Sequence, residues 1–257
     1  MFTIRIADTV IQIDNQYQFI EDYCRNYIIK DVPPDITVAV NEAEIVAEMG
    51  KYCCQSMDYL ETLAVYRKIC EKLIDRDIVL FHSSALMIEG KAVLFSAPSG
   101  TGKSTHARIW RETFGERVTM INDDKPLISI GRTEVKTVGR ADDTTAGGAD
   151  NITIGRVPVR VYGTPWCGKH SLENNISAPL SAVFWLKQGK DNSVVGLDDR
   201  SAFAHILNQI YRPNDEVLMR KTIMLAGRLL ENVEFFEITC NMEKEAAITA
   251  YNAVFGK

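Results

Sequence analysis

Residues 97–104 read Ala97-Pro98-Ser99-Gly100-Thr101-Gly102-Lys103-Ser104. This matches the phosphate-binding pattern G-x-x-x-x-G-K-[ST], with Ala97 in place of the first glycine. Small residues and glycines let successive backbone N–H groups curl toward one anion, and a helix that starts at the loop adds its free N–H groups and dipole. Over Ser99, Gly100, Thr101, Gly102, Lys103, Ser104 and Thr105 the pattern therefore predicts a triphosphate site. Lys103 is expected as a solvent-facing loop charge that reaches the β- and γ-phosphates, and the Ser104 hydroxyl as a ligand to Mg²⁺. Twenty residues on, Asn122-Asp123-Asp124-Lys125 ends the strand-like run VTMIN. Phosphoryl transfer uses one carboxylate on the metal and often another to orient or deprotonate the attacking hydroxyl. Asp123 and Asp124 are candidates for those two roles. The competing reading is a simple strand-ending turn, which Asn and Asp favour.

Two further stretches hold groups that chemistry could use. His82, in Phe81-His82-Ser83-Ser84, stands at a strand end, where a lone histidine is most often structural. The hairpin that follows could fold it back toward the glycine loop, so it is a candidate site residue. Gly163-Thr164-Pro165-Trp166-Cys167-Gly168-Lys169-His170 reads either as a ligand-facing loop presenting Trp166 and Lys169, or as a rigid turn with Trp166 in the core. Cys167 beside His170 has no third group to orient it, which argues against a nucleophile. His106 and His205 sit on expected helices and read as structural.

These residues need elements to position them. LFSA feeds the glycine loop, and a helix over 103–114 with Ile109, Trp110 and Phe114 on one face leaves it, stopped by Gly115. Ahead of it, 78–84 reads as a strand, and 85–96 as strand, tight Glu89-Gly90 turn, strand. The first 77 residues predict two short strands over 2–13, a helix over 16–29, a strand at 36–40, a helix over 42–49 capped by Asn41, and a strong helix over 58–76. Residues 131–155, rich in Gly, Thr and Asp, read as a long surface loop, with a flap hairpin as one form. Because it follows the Asp pair, it is expected to leave the same edge and act as a lid or docking loop, the alternative being a decorative surface insertion. Strands at 157–163, 180–188 and 233–239 alternate with helices over 199–210, 215–230 and 243–254, so the class is α/β.

Composition bounds what such a site could serve. The chain has 257 residues, 46% of them hydrophobic and 25% charged, which is ordinary globular usage. Its net charge is −5, which offers no global reason to seek nucleic acid or an anionic membrane. An anionic ligand needs a local positive site. Neither a secretory leader nor a spanning apolar run is evident, and the six cysteines carry no C-x-x-C, so a cytoplasmic protein with reduced thiols is expected.

The block from Phe81 to Ile128 resembles the HPr kinase/phosphorylase and phosphoenolpyruvate carboxykinase superfamily, and most of all its small HPr-kinase-like members. The resemblance covers about 78–130, then 161–188. It implies a mixed, partly antiparallel sheet whose phosphate loop follows a β-hairpin. It divides the chain into a small α/β region, 1–77, packed on a nucleotide-binding domain, 78–257. It implies that His82, Lys103, Ser104 and Asp124 act in catalysis, with Asp124 the proton acceptor and Asp123 a metal or water partner. The implied activity is an Mg²⁺- and ATP-dependent kinase acting on a Ser or Thr of a peptide or small protein, or on a small metabolite. The alternatives are a non-catalytic nucleotide-binding subunit and a small carboxykinase-like enzyme. The family's downstream metal-binding Glu has no clear counterpart here, and for its downstream Arg only Arg212 offers itself.

Overall fold

The computed structural model describes residues 1–50, 55–98, 100–131, 133–138 and 151–256, with backbone alone for 133–138 and 151–156. The chain opens with β1 (Phe2–Ile6) and β2 (Thr9–Asp14), an antiparallel pair turned by Ala7 and Asp8, both in the left-handed region. After α1 (Phe19–Tyr23), β3 (Ile36–Ala39) joins β2 in parallel. The single long helix expected over 16–29 does not form. The Glu61 carboxylate accepts the backbone N–H groups of Gln16 and Tyr17, and a 3₁₀ turn over Arg25–Tyr27 hands the chain to an extended Ile28 that bridges Ile4. Ile20, Cys24 and Tyr27 are still buried, but by two short turns fitted to their neighbours. Then follow α2 (Glu42–Met49), with a capping box between Asn41 and Glu44, and α3 (Met57–Ile74).

The main sheet begins with β4 (Ile78–Leu80), β5 (Ser84–Ile88) and β6 (Lys91–Ser96), followed by α4 (Lys103–Phe114), β7 (Val118–Asn122) and β8 (Leu127–Ser129). An antiparallel pair, β9 (Thr133–Val138) and β10 (Asn151–Arg156), stands apart from it. Then come β11 (Arg160–Tyr162), β12 (Ser177–Gln188), β13 (Ser193–Gly196), α5 (Asp199–Gln209), α6 (Glu216–Asn232), β14 (Glu234–Cys240) and α7 (Lys244–Phe255). The strand order is β4-β8-β11-β12-β6-β5-β7, with β14 on β12 and β13 on β14. β6 and β14 run parallel to β12, and the other pairs are antiparallel, so this is a mixed α/β fold with a mixed sheet.

Three apolar clusters hold these layers. α4 and α7 bury Trp110, Ala107 and Ala250 against Phe95 and Phe184 on one face. α5 and α6 bury Ile206, Leu225 and Leu229 with Phe81, Ile121 and Ile128. The third cluster joins α3 and β1–β3 to Leu127, Tyr162 and Trp166, so the first 77 residues share apolar packing with the sheet. Fully burying one such large side chain is worth about 1.5–3 kcal/mol. Among the described residues no helix is long and apolar enough to cross a membrane.

Residues 139–150 are outside the described residues, but the root of 131–155 is defined. β8 starts beside Leu80 and Tyr162 at Leu127 and runs to Ser129, opposite Ile78 and Arg160. Ile130 donates its N–H to the Asp77 carbonyl, and Arg228 donates to the Gly131 carbonyl. Four residues at about 3.3 Å each carry the chain about 13 Å away from Leu127. The β9–β10 pair is therefore rooted at the end of β8 remote from the Asp pair, and the tip of the segment expected to act as a lid lies outside the described residues.

Candidate functional site

Four segments that leave the C-terminal ends of β4, β6, β7 and β11 meet at one cleft of about 840 Å³. From β6 comes the glycine loop. Gly102 has φ +114°, a conformation L side chains rarely adopt, and it is the cap from which α4 starts. Lys103 is the first residue of that helix. It is half-buried, not the solvent-facing loop charge expected, and its Nζ donates to the buried Ala97 carbonyl at 2.9 Å. Burial lowers its pKa, against the opposing pull of Asp124. Ser104 follows, exposed, and Gly100, Gly102 and Thr105 also line the cleft. Ser99 lies outside the described residues. Thr101 lies on the other side of the loop, its carbonyl accepting from Gln188 at 3.1 Å.

From β7 comes the Asp pair, held by a fully buried Asn122. The Asn122 Oδ1 accepts from the backbone N–H groups of Asp124 (2.8 Å) and Lys125 (2.7 Å), which is the turn chemistry expected of an Asn here. Its Nδ2 donates to the Thr164 carbonyl (3.0 Å) and the Trp166 carbonyl (3.2 Å), tying the turn to the loop after β11. Asp123 is only 5% exposed, and its Oδ1 accepts the Gly168 N–H at 2.6 Å. Its Oδ2 is buried with no hydrogen-bond partner among the described residues. A buried carboxylate oxygen left unpaired is costly, and a cation satisfies it. Asp124 is differently placed. Burial alone would raise its pKa, but hydrogen bonds from His82 and Lys125 and their charges outweigh this and hold it well below the usual carboxylate range.

From β4 comes His82. Its Nε2 lies 3.0 Å from Asp124 Oδ1 and its Nδ1 lies 3.2 Å from Gln209 Oε1. The backbone fixes it as well, through the Gln209 carbonyl at 2.9 Å and Ser96 Oγ at 3.2 Å. The hairpin β5–β6 thus returns the chain so that His82, the glycine loop and Asp124 share one cleft. Gln209, at the end of α5, carries no motif and was not legible in the sequence.

From β11 comes the loop at 163–170, and here the structure separates the two residues singled out. Trp166 is 1% exposed, stacks on Tyr66 at 4.1 Å, and donates Nε1–H to the Thr62 carbonyl at 2.8 Å. It faces the core and not a ligand. Lys169 and His170 line the cleft. Cys167 is no nucleophile: burial and Glu173 push its thiol up to about 12, far from the thiolate a nucleophile needs. His106 is buried, accepts from Trp110 Nε1 at 3.1 Å and has its pKa lowered to about 4 by burial, as a structural histidine would. Arg212 is exposed and does not line the cleft.

Among the described residues no three His, Cys, Asp or Glu groups are arranged to hold a metal by themselves. Mg²⁺ does not require that, because it is commonly held by one or two carboxylates together with substrate phosphates and water. The unpaired Asp123 Oδ2 and the Ser104 hydroxyl fit that pattern.

No protein-family model matches the chain, and no curated protein matches it. Among solved structures, the HPr(Ser) kinase/phosphatase from Coxiella burnetii is a remote likeness, 12% identical with a TM-score of 0.25, covering 58% of this chain and 90% of that one. A likeness at that level carries no residue and no activity across to this chain.

Proposed function

We propose that this chain is an Mg²⁺- and ATP-dependent phosphotransferase that acts on a hydroxyl acceptor. The observation that carries the reading is the meeting, in one cleft, of a helix N-terminus bearing Lys103 and Ser104 with a buried carboxylate oxygen that lacks a partner and a second carboxylate held ionised. The backbone N–H groups at the start of α4 and Lys103 bind the triphosphate. Lys103 exchanges its bond to the Ala97 carbonyl for phosphate oxygens, a short swing for a half-buried ammonium. Asp123 and Ser104 would hold Mg²⁺, which supplies charge neutralisation at the transferring phosphoryl group when bound. Asp124 faces the acceptor hydroxyl, with His82 and Lys125 fixing its orientation and keeping it charged. In a loose transition state most of the catalysis is positioning, so a weakly basic carboxylate suffices to orient the hydroxyl and accept its proton as the bond to phosphorus forms.

Isotope tracing and calorimetry test this together. Wild-type protein should bind Mg²⁺·ATP, and Lys103→Ala should lose that binding while staying folded. Asp124→Asn should keep it but transfer γ-phosphate about 10²–10⁴-fold more slowly. Unchanged ATP affinity in folded Lys103→Ala refutes the phosphate site. Tight binding with no transfer of label to any acceptor leaves a nucleotide-binding subunit in its place.

A further inference from the structure

The cleft carries more cationic than anionic side chains, and they do not all stand at the start of α4. Lys103, Arg108, Arg111 and Lys169 face it against Asp123 and Asp124, in a chain whose overall net charge is −5. Ser104, Arg108 and Arg111 stand at i, i+4 and i+7, so they form one stripe along α4. At a rise of 1.5 Å per residue, Arg111 lies about 10 Å along the helix from Ser104. Its backbone therefore stands about two turns beyond the residues that open the helix. Arg108 is engaged with Glu112 at 2.6 Å, an exposed i,i+4 pair. Arg111 is different: its Nε is buried with no hydrogen-bond partner among the described residues. A buried guanidinium N–H without a partner is costly, and an anion delivered to it is bound by charge-assisted hydrogen bonds. Lys169, from the loop after β11, also lines the cleft and follows Gly168, whose N–H is fixed on Asp123.

We infer that the acceptor carries its own anionic group, a phosphate or a carboxylate, which Arg111 and Lys169 bind while its hydroxyl faces Asp124. This rests on the phosphotransfer reading and adds the substrate class to it. The physical need is plain. A hydroxyl compound with a negative charge must approach both a triphosphate and two carboxylates, and without dedicated cations it would be repelled. Arg111 and Lys169 are thus specificity residues: they select among hydroxyl acceptors by charge.

The test fills the nucleotide site first. With Mg²⁺ and the non-hydrolysable analogue AMPPNP bound, inorganic phosphate is titrated into the complex by calorimetry. Wild type should bind phosphate. Arg111→Gln and Lys169→Gln should each weaken it about tenfold or more, Arg111→Lys should restore part of the loss, and AMPPNP affinity of Arg111→Gln should stay within about twofold. Displacement then names the source of the anion. Glycerol 3-phosphate alone displacing phosphate assigns a small molecule. A serine hexapeptide flanked by Glu, but not its Gln-flanked twin, displacing it assigns an acidic peptide. Phosphate affinity equal in wild type and both Gln variants overturns the inference, as does phosphate that neither hydroxyl compound displaces. Loss of AMPPNP affinity in step with phosphate affinity also overturns it, by giving Arg111 to the nucleotide. Failure of wild type to bind Mg²⁺·AMPPNP at all is a separate result, and it strikes the phosphotransfer reading instead.

Discussion

Gly168 offers a direct test of Asp123 as the metal carboxylate. Its N–H donates to Asp123 Oδ1 at 2.6 Å, and a Cβ at this position would stand 2.9 Å from Oδ2, 3.1 Å from Cγ and 3.3 Å from Oδ1. Gly168 is not among the glycines with positive φ, so alanine there is strained only by this contact. The loop cannot retreat easily, because Trp166 is locked in the core two residues earlier. The carboxylate must therefore yield by several tenths of an ångström. A hydrogen bond to a charged group is worth about 1.5–3 kcal/mol, and an outer-shell partner of a metal ligand about 10- to 100-fold in metal affinity. Gly168→Ala should accordingly raise the Mg²⁺ concentration that half-saturates ATP binding by about 10- to 100-fold. Its metal-free ATP affinity should not change, because the glycine loop is untouched. Calorimetric ATP titrations over a series of Mg²⁺ concentrations read both quantities. A folded Gly168→Ala protein with the wild-type Mg²⁺ requirement would show that Asp123 Oδ2 does not meet the metal.

Trp166→Ala removes a fully buried indole, its stack on Tyr66 and its bond to Thr62, and should cost about 3–5 kcal/mol in urea unfolding; a loss under about 1 kcal/mol would contradict the core placement. His106 sets a pH dependence. Its folded pKa of about 4 lies below the unfolded value of about 6.5, so the unfolded chain binds the extra proton between them. The stability contributed by the neutral ring is complete above about pH 6.5 and lost as pH falls through about 4. From pH 7 to pH 5 the wild type should lose about 2 kcal/mol more than His106→Gln, measured by urea melts at both values. Equal losses would mean that the ring is accessible to water.

Local signals were legible wherever the chain makes its own structure. The glycine pattern and its spacing to Lys103 and Ser104 predict a loop feeding a helix, and Gly102 and α4 take that form over the expected residues. Glu89-Gly90 turns the hairpin with both residues at positive φ, and Asn41 caps α2. These are interactions among near neighbours, whose energies depend on residue type and little on context. The tertiary structure decided what depends on distant partners. Residues 16–29 have a helical period, yet Glu61 and Ile4 supply competing partners and the helix breaks. Trp166 reads equally as ligand-facing or buried until Tyr66 and Thr62, a hundred residues earlier, claim it. The segment after the Asp pair reads as leaving the sheet edge beside those carboxylates, whereas β8 roots it at that strand's far end. Asp123 and Asp124 are adjacent and chemically identical in sequence. One keeps an oxygen with no hydrogen-bond partner among the described residues and the other is clamped by His82 and Lys125, because long-range packing assigns each carboxylate its dielectric surroundings and its donors.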